Sequence, residues 1–568
     1  MTPEERARIM SNDYADLLIN YSGNTAVFDS FTDATVQIID FFNALVHVPI
    51  AQITGNIIVT RGYSAMPSLY GLCSMESLEK SGITRIRNVP NLNLRGSGVL
   101  IGMLDTGIDY TNPLFRYSDN TTRIVSIWDQ TIISDNYPEG FNYGTEYSRD
   151  LINDALRSTD PYGIVPSVDE NGHGTMLAGI AAGNEDLENN FSGVAPDSEF
   201  VVVKLKPAKP YLKEFFRVPA DALSYQENDI LIALNYLIET SIRLKRPIAI
   251  CIALGSSLGA HDGRGTLSSF LSYQADNTGI AIMIAAGNEG VARRHYYGVI
   301  DPLIGYRTVE LNVGENENGF SMEIWGDSQS IISIDITTPL GEYIPRIAAK
   351  LNENRDISFI FERTTIFIDY QMVESQSGDQ LILVRFTNPS QGIWRFNVYG
   401  RGDIQNGFHI WLPMTGFISD NTYFLEPDPN TTILSLGNAP VPITVTAYNP
   451  GNDSLWLPSS RGFTRIGTIK PELAAPGVNL TAPTPNKEFI AVSGTSPAAA
   501  HTTGVAALLL EWGIINGNLR NMSSVIIKNL MIRGARRFND MNYPNMDWGY
   551  GMLDLYNIFE SLKRGITD

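Results

Sequence analysis

The chain has 568 residues, 61 of them acidic and 41 basic for a formal charge of −20, with two cysteines and 43% apolar residues. At about 150 residues per domain the length predicts two to four units, and the apolar content is that of a chain able to bury large cores, which excludes disorder throughout. The acidic balance excludes a surface built to neutralise nucleic-acid phosphates or an anionic membrane, and Cys73 and Cys251 are too few for a disulfide framework and lie outside any zinc-type spacing.

The first residues, MTPEERARIMSNDYADLL, carry charges where a secretory signal needs an apolar core of roughly 7 to 15 residues. Cytoplasmic synthesis without a signal peptide is therefore expected. No run of about 18 apolar residues occurs, so no membrane span is expected either. Ala34 to Val46 (ATVQIIDFFNALV) reads as a helix and Ile57 to Thr60 (IIVT) as a strand, together a small α/β unit over residues 1–75.

From Leu92 to about Asn288 short β-branched runs alternate with helical stretches. Val99 to Leu104, Phe200 to Leu205, Ile248 to Leu254 and Ile280 to Ala286 are continuous apolar runs, as in strands buried on both faces of a parallel sheet. Asn228 to Lys245 reads as an amphipathic helix with an acidic start and a basic end. Residues 297–430 change texture: Ile331 to Ile336, Thr364 to Val373, Leu381 to Phe386 and Ile393 to Gly400 are short, partly alternating and separated by turn residues, an all-β sandwich or jelly-roll. The α/β pattern resumes at Pro442 to Asn449, continues through a small-residue helix after Ser496 and ends in a helix near Ser523 to Arg537. The predicted fold class is thus α/β, a parallel sheet covered by helices over 76–296 and 431–568, interrupted by an all-β insert.

Three segments set a reactive side chain beside glycine. Asp105 in LDTGID closes the Val99 to Leu104 strand, at the edge where open α/β sheets gather ligands, and by itself it also suits a plain turn. His173 in NGHGTMLAGIAAG opens a small-residue helix, where a metal ligand, a cap neighbour or a core histidine would read the same. Ser496 in SGTSPAAAHTTGVAALLL sits in a first helical turn and could be an N-cap followed by Pro497. Taken together they supply the nucleophile, the base and the group that orients the base, which is what amide hydrolysis requires.

The order Asp, His, Ser is that of subtilisin, and the chain resembles the subtilisin-like serine proteases from about Leu92 to Arg537, leaving aside the insert. The resemblance implies a protein or peptide substrate, Ser496 as nucleophile, His173 as base and Asp105 as its orienting partner. AAGNEG (Ala285 to Gly290) resembles the oxyanion segment and implies Asn288 as a donor alongside the Ser496 N–H. ALGSSLGAHDG (Ala253 to Gly263) is similar to the substrate strand, which implies that Leu254 and Gly255 line the first specificity pocket; Ala285 and Gly287 are likewise expected to bind substrate. No cofactor is implied. The acid-rich stretch GNEDLENN (Gly183 to Asn190) lacks a calcium-loop pattern and reads as solvated surface, so no metal site is expected. His47, His261, His295, His409 and His501 read as structural.

Asn288 and Ser496 are 208 positions apart, far more than in compact members of the family. That insert, the LNLRGSGVLIGMLDTGIDY run and the GSSLGAHDG stretch resemble the Csp proteases of clostridial spores. The resemblance implies a jelly-roll insert, packaging in a bacterial spore, activation of a cortex-lytic zymogen during germination, and a prodomain over residues 1–75. That prodomain would be cut from the chain between Thr60 and Lys80 and would stay bound in the cleft as a product-like strand. The same group contains idle pseudoproteases, so a binding or regulatory protein is the alternative; an intact triad favours the enzyme.

Overall fold

The computed structural model describes residues 1–53, 57–72, 92–327, 329–351, 353–400 and 405–564. The first helix, α1 (Pro3–Met10), is started by Thr2. Its hydroxyl accepts the Glu5 N–H at 3.2 Å while the Glu5 carboxylate accepts the Thr2 N–H at 2.6 Å, a reciprocal cap that satisfies two otherwise unpaired donors. Strands β1 (Tyr14–Asn20), β2 (Thr35–Ile38) and β3 (Asn43–Pro49) form an antiparallel sheet in the order β1-β3-β2.

The helix expected over Ala34 to Val46 is therefore a hairpin. Asp40 reverses the chain: its carboxylate accepts the N–H groups of Phe42 and Asn43, each at 2.7 Å, and both Phe41 and Phe42 are exposed rather than part of a buried stripe. The strand expected at Ile57 to Thr60 is likewise corrected to a helix, α2 (Ile57–Arg61), followed by Gly62 at φ +85°. Ile57 and Ile58 enter one core together, which consecutive strand residues, pointing to opposite faces, cannot do.

After α2 comes a short strand, β4 (Leu69–Leu72). The α/β part begins with β5 (Leu100–Asp105), β6 (Ile124–Asp129), β7 (Thr145–Ser148), α3 (Arg149–Arg157), α4 (His173–Ala182) and β8 (Glu199–Lys204). It continues with α5 (Pro210–Phe216), β9 (Tyr225–Gln226), α6 (Glu227–Leu244), β10 (Ile248–Ile252), β11 (Leu254–Gly255), α7 (Thr266–Ala275) and β12 (Ile280–Ala285).

The interrupting unit follows, with, among the described residues, β13 (His295–Ile300), β14 (Tyr306–Val313), β15 (Gly319–Gly326), β16 (Ser333–Thr337), β17 (Tyr343–Ile347) and β18 (Asn354–Ser358), then β19 (Thr365–Gln371), β20 (Leu381–Thr387), β21 (Gly392–Tyr399), β22 (Asn406–Trp411) and β23 (Tyr423–Phe424). The α/β part resumes with β24 (Ile443–Asn449), β25 (Ser454–Leu455), β26 (Leu473–Pro476), α8 (Thr495–Leu510) and α9 (Ser524–Gly534). A further helix, α10 (Leu555–Arg564), follows the one expected to be last; Leu555, Ile558 and Phe559, at helical spacing, bury it.

The main sheet has the order β25-β24-β12-β10-β5-β8-β6-β7, with β26 beside β24. Its central neighbours are parallel, and the edge strands β7 and β25 are antiparallel. Alternate side chains serve two cores: from β5, Ile101 and Met103 join α4 and α8, while Leu100 and Leu104 join α6 and α7. Burial on both faces is why these strands are apolar without alternation. Gly504 lets α8 approach closely, since a methyl group there would stand 2.4 Å from Val194 Cβ and 2.7 Å from the Ala181 carbonyl. Among the described residues the helical stretch Thr495–Ile515 is long and apolar enough to cross a membrane by length and composition, and it is mostly buried within the protein.

The interrupting unit is two antiparallel sheets, β13-β22-β15-β20-β19-β18 and β17-β16-β21-β14-β23, with their own core between them, Phe320, Ile324, Val384 and Ile410 from one and Leu311, Ile334, Phe396 and Val398 from the other.

The N-terminal unit meets the rest of the chain at Asp16, which is fully buried. His47 Nδ1 and Lys209 Nζ each lie 2.7 Å from its carboxylate and Gln226 Nε2 lies 2.9 Å away, while the Tyr211 hydroxyl donates to the Asp16 carbonyl at 2.8 Å. Burial opposes ionisation, yet Lys209 and His47 outweigh it and hold the Asp16 carboxyl far below the usual range.

Candidate active site

Strands β5, β10 and β12 are parallel neighbours, so their C-terminal ends, Asp105, the Ala253 to Gly255 segment and Ala285 to Asn288, lie side by side at one edge of the sheet. Asp105 and His173 are both buried, and His173 Nδ1 lies 2.8 Å from Asp105 Oδ1, which also accepts the Thr106 N–H at 2.8 Å. A carboxylate facing Nδ1 makes that nitrogen the protonated one and leaves the lone pair on Nε2, the nitrogen a base must use.

The loop that carries His173 is clamped by a residue that the sequence reading did not single out. Asp169 accepts the N–H groups of Gly172 and Thr175 at 2.8 Å each and the hydroxyls of Thr175 and Thr106 at 2.7 Å each; Thr106 Oγ1 in turn accepts the Gly174 N–H at 3.0 Å. The Asp-Thr-Gly loop and the histidine loop are thereby locked together. Gly174 is required for this approach, because a methyl group on it would stand 2.1 Å from the Gly107 carbonyl. The available signal was an Asp four residues ahead of His173, in the position of a loop-capping carboxylate.

Ser496 is the second residue of α8 and is buried; α8 packs against α4, which His173 opens. Thr495, also unforeseen, joins this helix start to the β12 loop. Its N–H and hydroxyl donate to Asn288 Oδ1 at 3.3 and 3.0 Å, and its Oγ1 accepts the Gly287 N–H at 3.1 Å. A backbone N–H can only donate, so the Asn288 atom facing it is the oxygen and the amide NH2 group is turned the other way, free in chemistry to donate to a developing negative charge.

Leu254 and Gly255 form β11, which pairs antiparallel with β4, Leu254 opposite Leu72 and Gly255 opposite Gly71. The other edge of β4 pairs with β9, Leu69 opposite Gln226 and Tyr70 opposite Tyr225. A segment of this chain thus lies as the middle strand of a three-stranded sheet along the residues predicted to bind substrate. Ala285 ends β12, and Gly287 takes φ +104°.

The remaining histidines lie elsewhere. His261, His295 and His409 stack on Trp411 with ring centroids 4.1, 4.9 and 5.1 Å away. Burial pulls His261 down to about 4, His295 to about 3 and His409 well below the ordinary histidine range, and it pulls His501, on α8, to about 3, so all four are neutral near pH 7. Burial raises the Cys251 thiol to about 12; Cys73 lies outside the described residues. In the acid-rich loop Asp186 is occupied by the N–H groups of Glu188 and Asn189 and the Asn189 amide. Among the described residues no group of three His, Cys, Asp or Glu side chains is disposed to hold a metal ion.

The chain matches the model of the subtilase family over residues 96–338 and 421–552. It is 23% identical over 549 residues to the PII-type proteinase of Lacticaseibacillus paracasei, a match spanning 84% of this chain and 26% of that protein, and 24% identical over 225 residues to a subtilisin of Bacillus sp. (strain TA39), spanning 39% and 42%. The chain therefore spans about a quarter of the length of the first of these relatives. The solved structure of the Clostridium perfringens CspB protease is similar at a TM-score of 0.76 and 30% identity, covering 85% of this chain and 97% of that one.

Proposed function

The chain belongs to the subtilase family, and from this we propose that it is a serine endopeptidase that processes itself and then cuts protein substrates. The observation that carries the reading is the 2.8 Å contact between His173 Nδ1 and Asp105, at the same sheet edge where Thr495 ties the helix of Ser496 to Asn288. Ser496 Oγ attacks the scissile carbonyl carbon as its proton passes to His173 Nε2. Asp105 stabilises the imidazolium, and the Ser496 N–H and Asn288 Nδ2 donate to the oxyanion. Collapse breaks the C–N bond, His173 gives its proton to the departing amine, and water repeats the sequence on the acyl-enzyme to regenerate Ser496.

On this reading residues 1–72 belong to the prodomain, with β4 as its product-like end, and the two-sheet unit is the jelly-roll of the Csp proteases. The cut then falls after Leu72 and before Lys80, in the part of the expected range that lies outside the described residues. By the same resemblance the physiological substrate is the zymogen of a cortex-degrading enzyme and the setting a bacterial spore. A resting state with its own strand in the cleft is favoured by the pairing of β4 with both β11 and β9.

The test is a denaturing gel and intact mass of the purified chain after treatment with a fluorophosphonate. Two fragments joined by no covalent bond, split between residues 72 and 80, with the label on Ser496 of the larger one, are expected. A chain neither cut nor labelled ends the protease reading and leaves the binding role.

Asn288→Ala should lower kcat about 10²- to 10³-fold with little change in KM, roughly 3 to 4 kcal/mol of transition-state stabilisation, which is the loss seen when the same donor is removed from a subtilisin. Thr495→Val, which frees the Asn288 amide to rotate, should fall between Asn288→Ala and wild type. Equal kcat in wild type and Asn288→Ala would remove Asn288 from the oxyanion site.

A further inference from the structure

Three apolar side chains contributed by the two-sheet unit and the segment leading out of it narrow the cleft in a way that a general protease would not need. Leu434, in that outgoing segment, is 1% exposed. Its Cδ1 atom would lie 2.2 Å from a methyl group on Gly255 and 2.7 Å from one on Gly287, so its isobutyl group fills the slot between the two glycines. It cannot swing away as a loop would, because the Leu434 N–H donates to the Ala286 carbonyl at 3.0 Å and the Ser435 N–H to the Ser256 carbonyl at 2.8 Å, tying it to both walls.

One step along the cleft, Gly71 of β4 lies opposite Gly255 and is covered by the other two. A methyl group on Gly71 would stand 3.2 Å from Met414 Cε and 3.4 Å from Phe417 Cε1. Met414 and Phe417 are themselves buried with Leu434 in one cluster, so a side chain larger than a methyl group at that position has to displace them. Strand residues two apart share a face. The residue two beyond the glycine of a bound strand therefore faces the side closed by Leu434. Tyr70, just before the glycine, points the other way and is buried with Leu254, Leu267 and Leu436.

We infer that Met414, Phe417 and Leu434 are specificity-determining residues that restrict the protease to extended segments with glycine, then any residue, then a small residue immediately before the cut. The inference rests on the protease reading above and deepens it: the interrupting β unit selects substrate, so turnover is confined to few proteins. A cleft of this shape takes small side chains because a bulky one has to displace packed apolar atoms whose backbone is held at both ends, a cost that packed interiors do not absorb.

The experiment uses the full chain and three peptidyl diphenyl phosphonates that phosphonylate the nucleophile: Tyr-Gly-Leu-Ala, Tyr-Gly-Leu-Phe and Tyr-Val-Leu-Ala. A plain fluorophosphonate, which needs no specificity pocket, serves as the control. In wild type the Ala reagent should react at least tenfold faster than the Phe reagent, and the Gly reagent at least tenfold faster than the Val reagent. Leu434→Gly should bring the first ratio below threefold and leave the second, while Met414→Ala with Phe417→Ala should do the reverse. Leu434→Ala, with a graded effect, stands in if the glycine variant does not fold. Wild type that accepts Phe as fast as Ala, or folded variants with unchanged ratios, overturn the inference while the protease reading stands. A wild-type chain that neither cuts itself nor takes the plain fluorophosphonate overturns the protease reading, and the specificity assignment falls with it.

Discussion

Ser496→Ala should yield a chain that runs as one uncut band, takes no fluorophosphonate and turns over peptides about a millionfold more slowly than wild type, the loss seen when a subtilisin is deprived of its serine or its histidine. The fold should be untouched. Ser496 sits in the first turn of α8, a place where alanine is a strong helix former, and the packing of α8 comes from Ala498 to Ala500 and Val505 to Leu510, which the substitution does not reach. A melting temperature within a few degrees of wild type, together with an uncut band, separates loss of chemistry from loss of structure. Residual turnover above water, from the oxyanion donors and substrate positioning alone, remains on the order of 10³-fold. Self-cutting within tenfold of the wild-type rate would show that Ser496 is not the nucleophile.

Asp105→Ala should cost about 10⁴-fold in kcat, again on the scale of the matching loss in a subtilisin. Asp105→Asn is the more instructive variant. In this chain a single oxygen, Asp105 Oδ1, accepts both the Thr106 N–H and the His173 Nδ1–H, and Oδ2 is buried without a hydrogen-bond partner among the described residues. The Thr106 N–H can only donate, so an Asn side chain keeps its oxygen where Oδ1 now stands, and His173 keeps the tautomer with its lone pair on Nε2. What Asn removes is the charge facing the imidazolium that forms in the transition state. At about 4 Å and an effective dielectric near 20 that interaction is roughly 4 kcal/mol, or about 10³-fold in rate. The expected order of kcat is thus wild type, Asn, Ala. Steady-state kinetics on one peptide checks it, and an Asn variant as impaired as the Ala variant would mean that the amide flips and reverses the tautomer. Neither substitution should unseat the histidine loop, because Asp169 and Thr106 hold it independently.

Asp105, His173 and Ser496 could be picked out as candidates because the demands of such side chains are local. A reactive residue at the end of a buried strand or the start of a packed helix needs glycine where a neighbouring segment crowds the backbone, as at Gly174, or where φ turns positive, as at Gly107 and Gly287. The central strands were legible for a related reason: β5, β8, β10 and β12 are buried on both faces, and only an uninterrupted apolar run satisfies that.

Short segments whose structure depends on where they dock were not legible. Ala34 to Val46 and Ile57 to Thr60 carry apolar residues that suit helix or strand, and the choice was made by the Asp40 turn and by the core that Ile57 and Ile58 enter. Asp169 and Thr495 look like ordinary loop and helix-start residues until tertiary packing sets Thr106 and Asn288 against them.

From the sequence alone followed the α/β class, the interruption by β structure and the candidates for the reacting groups, since each is written in spacings of a few residues. Only the tertiary structure decided that β4 lies between β9 and β11, that Asp16 joins the N-terminal unit to Lys209, and that Leu434 fills the slot between Gly255 and Gly287. The partners in these contacts are more than a hundred residues apart in the chain, and no local periodicity carries the distance between them; they exist because closing the sheets brings those backbones together.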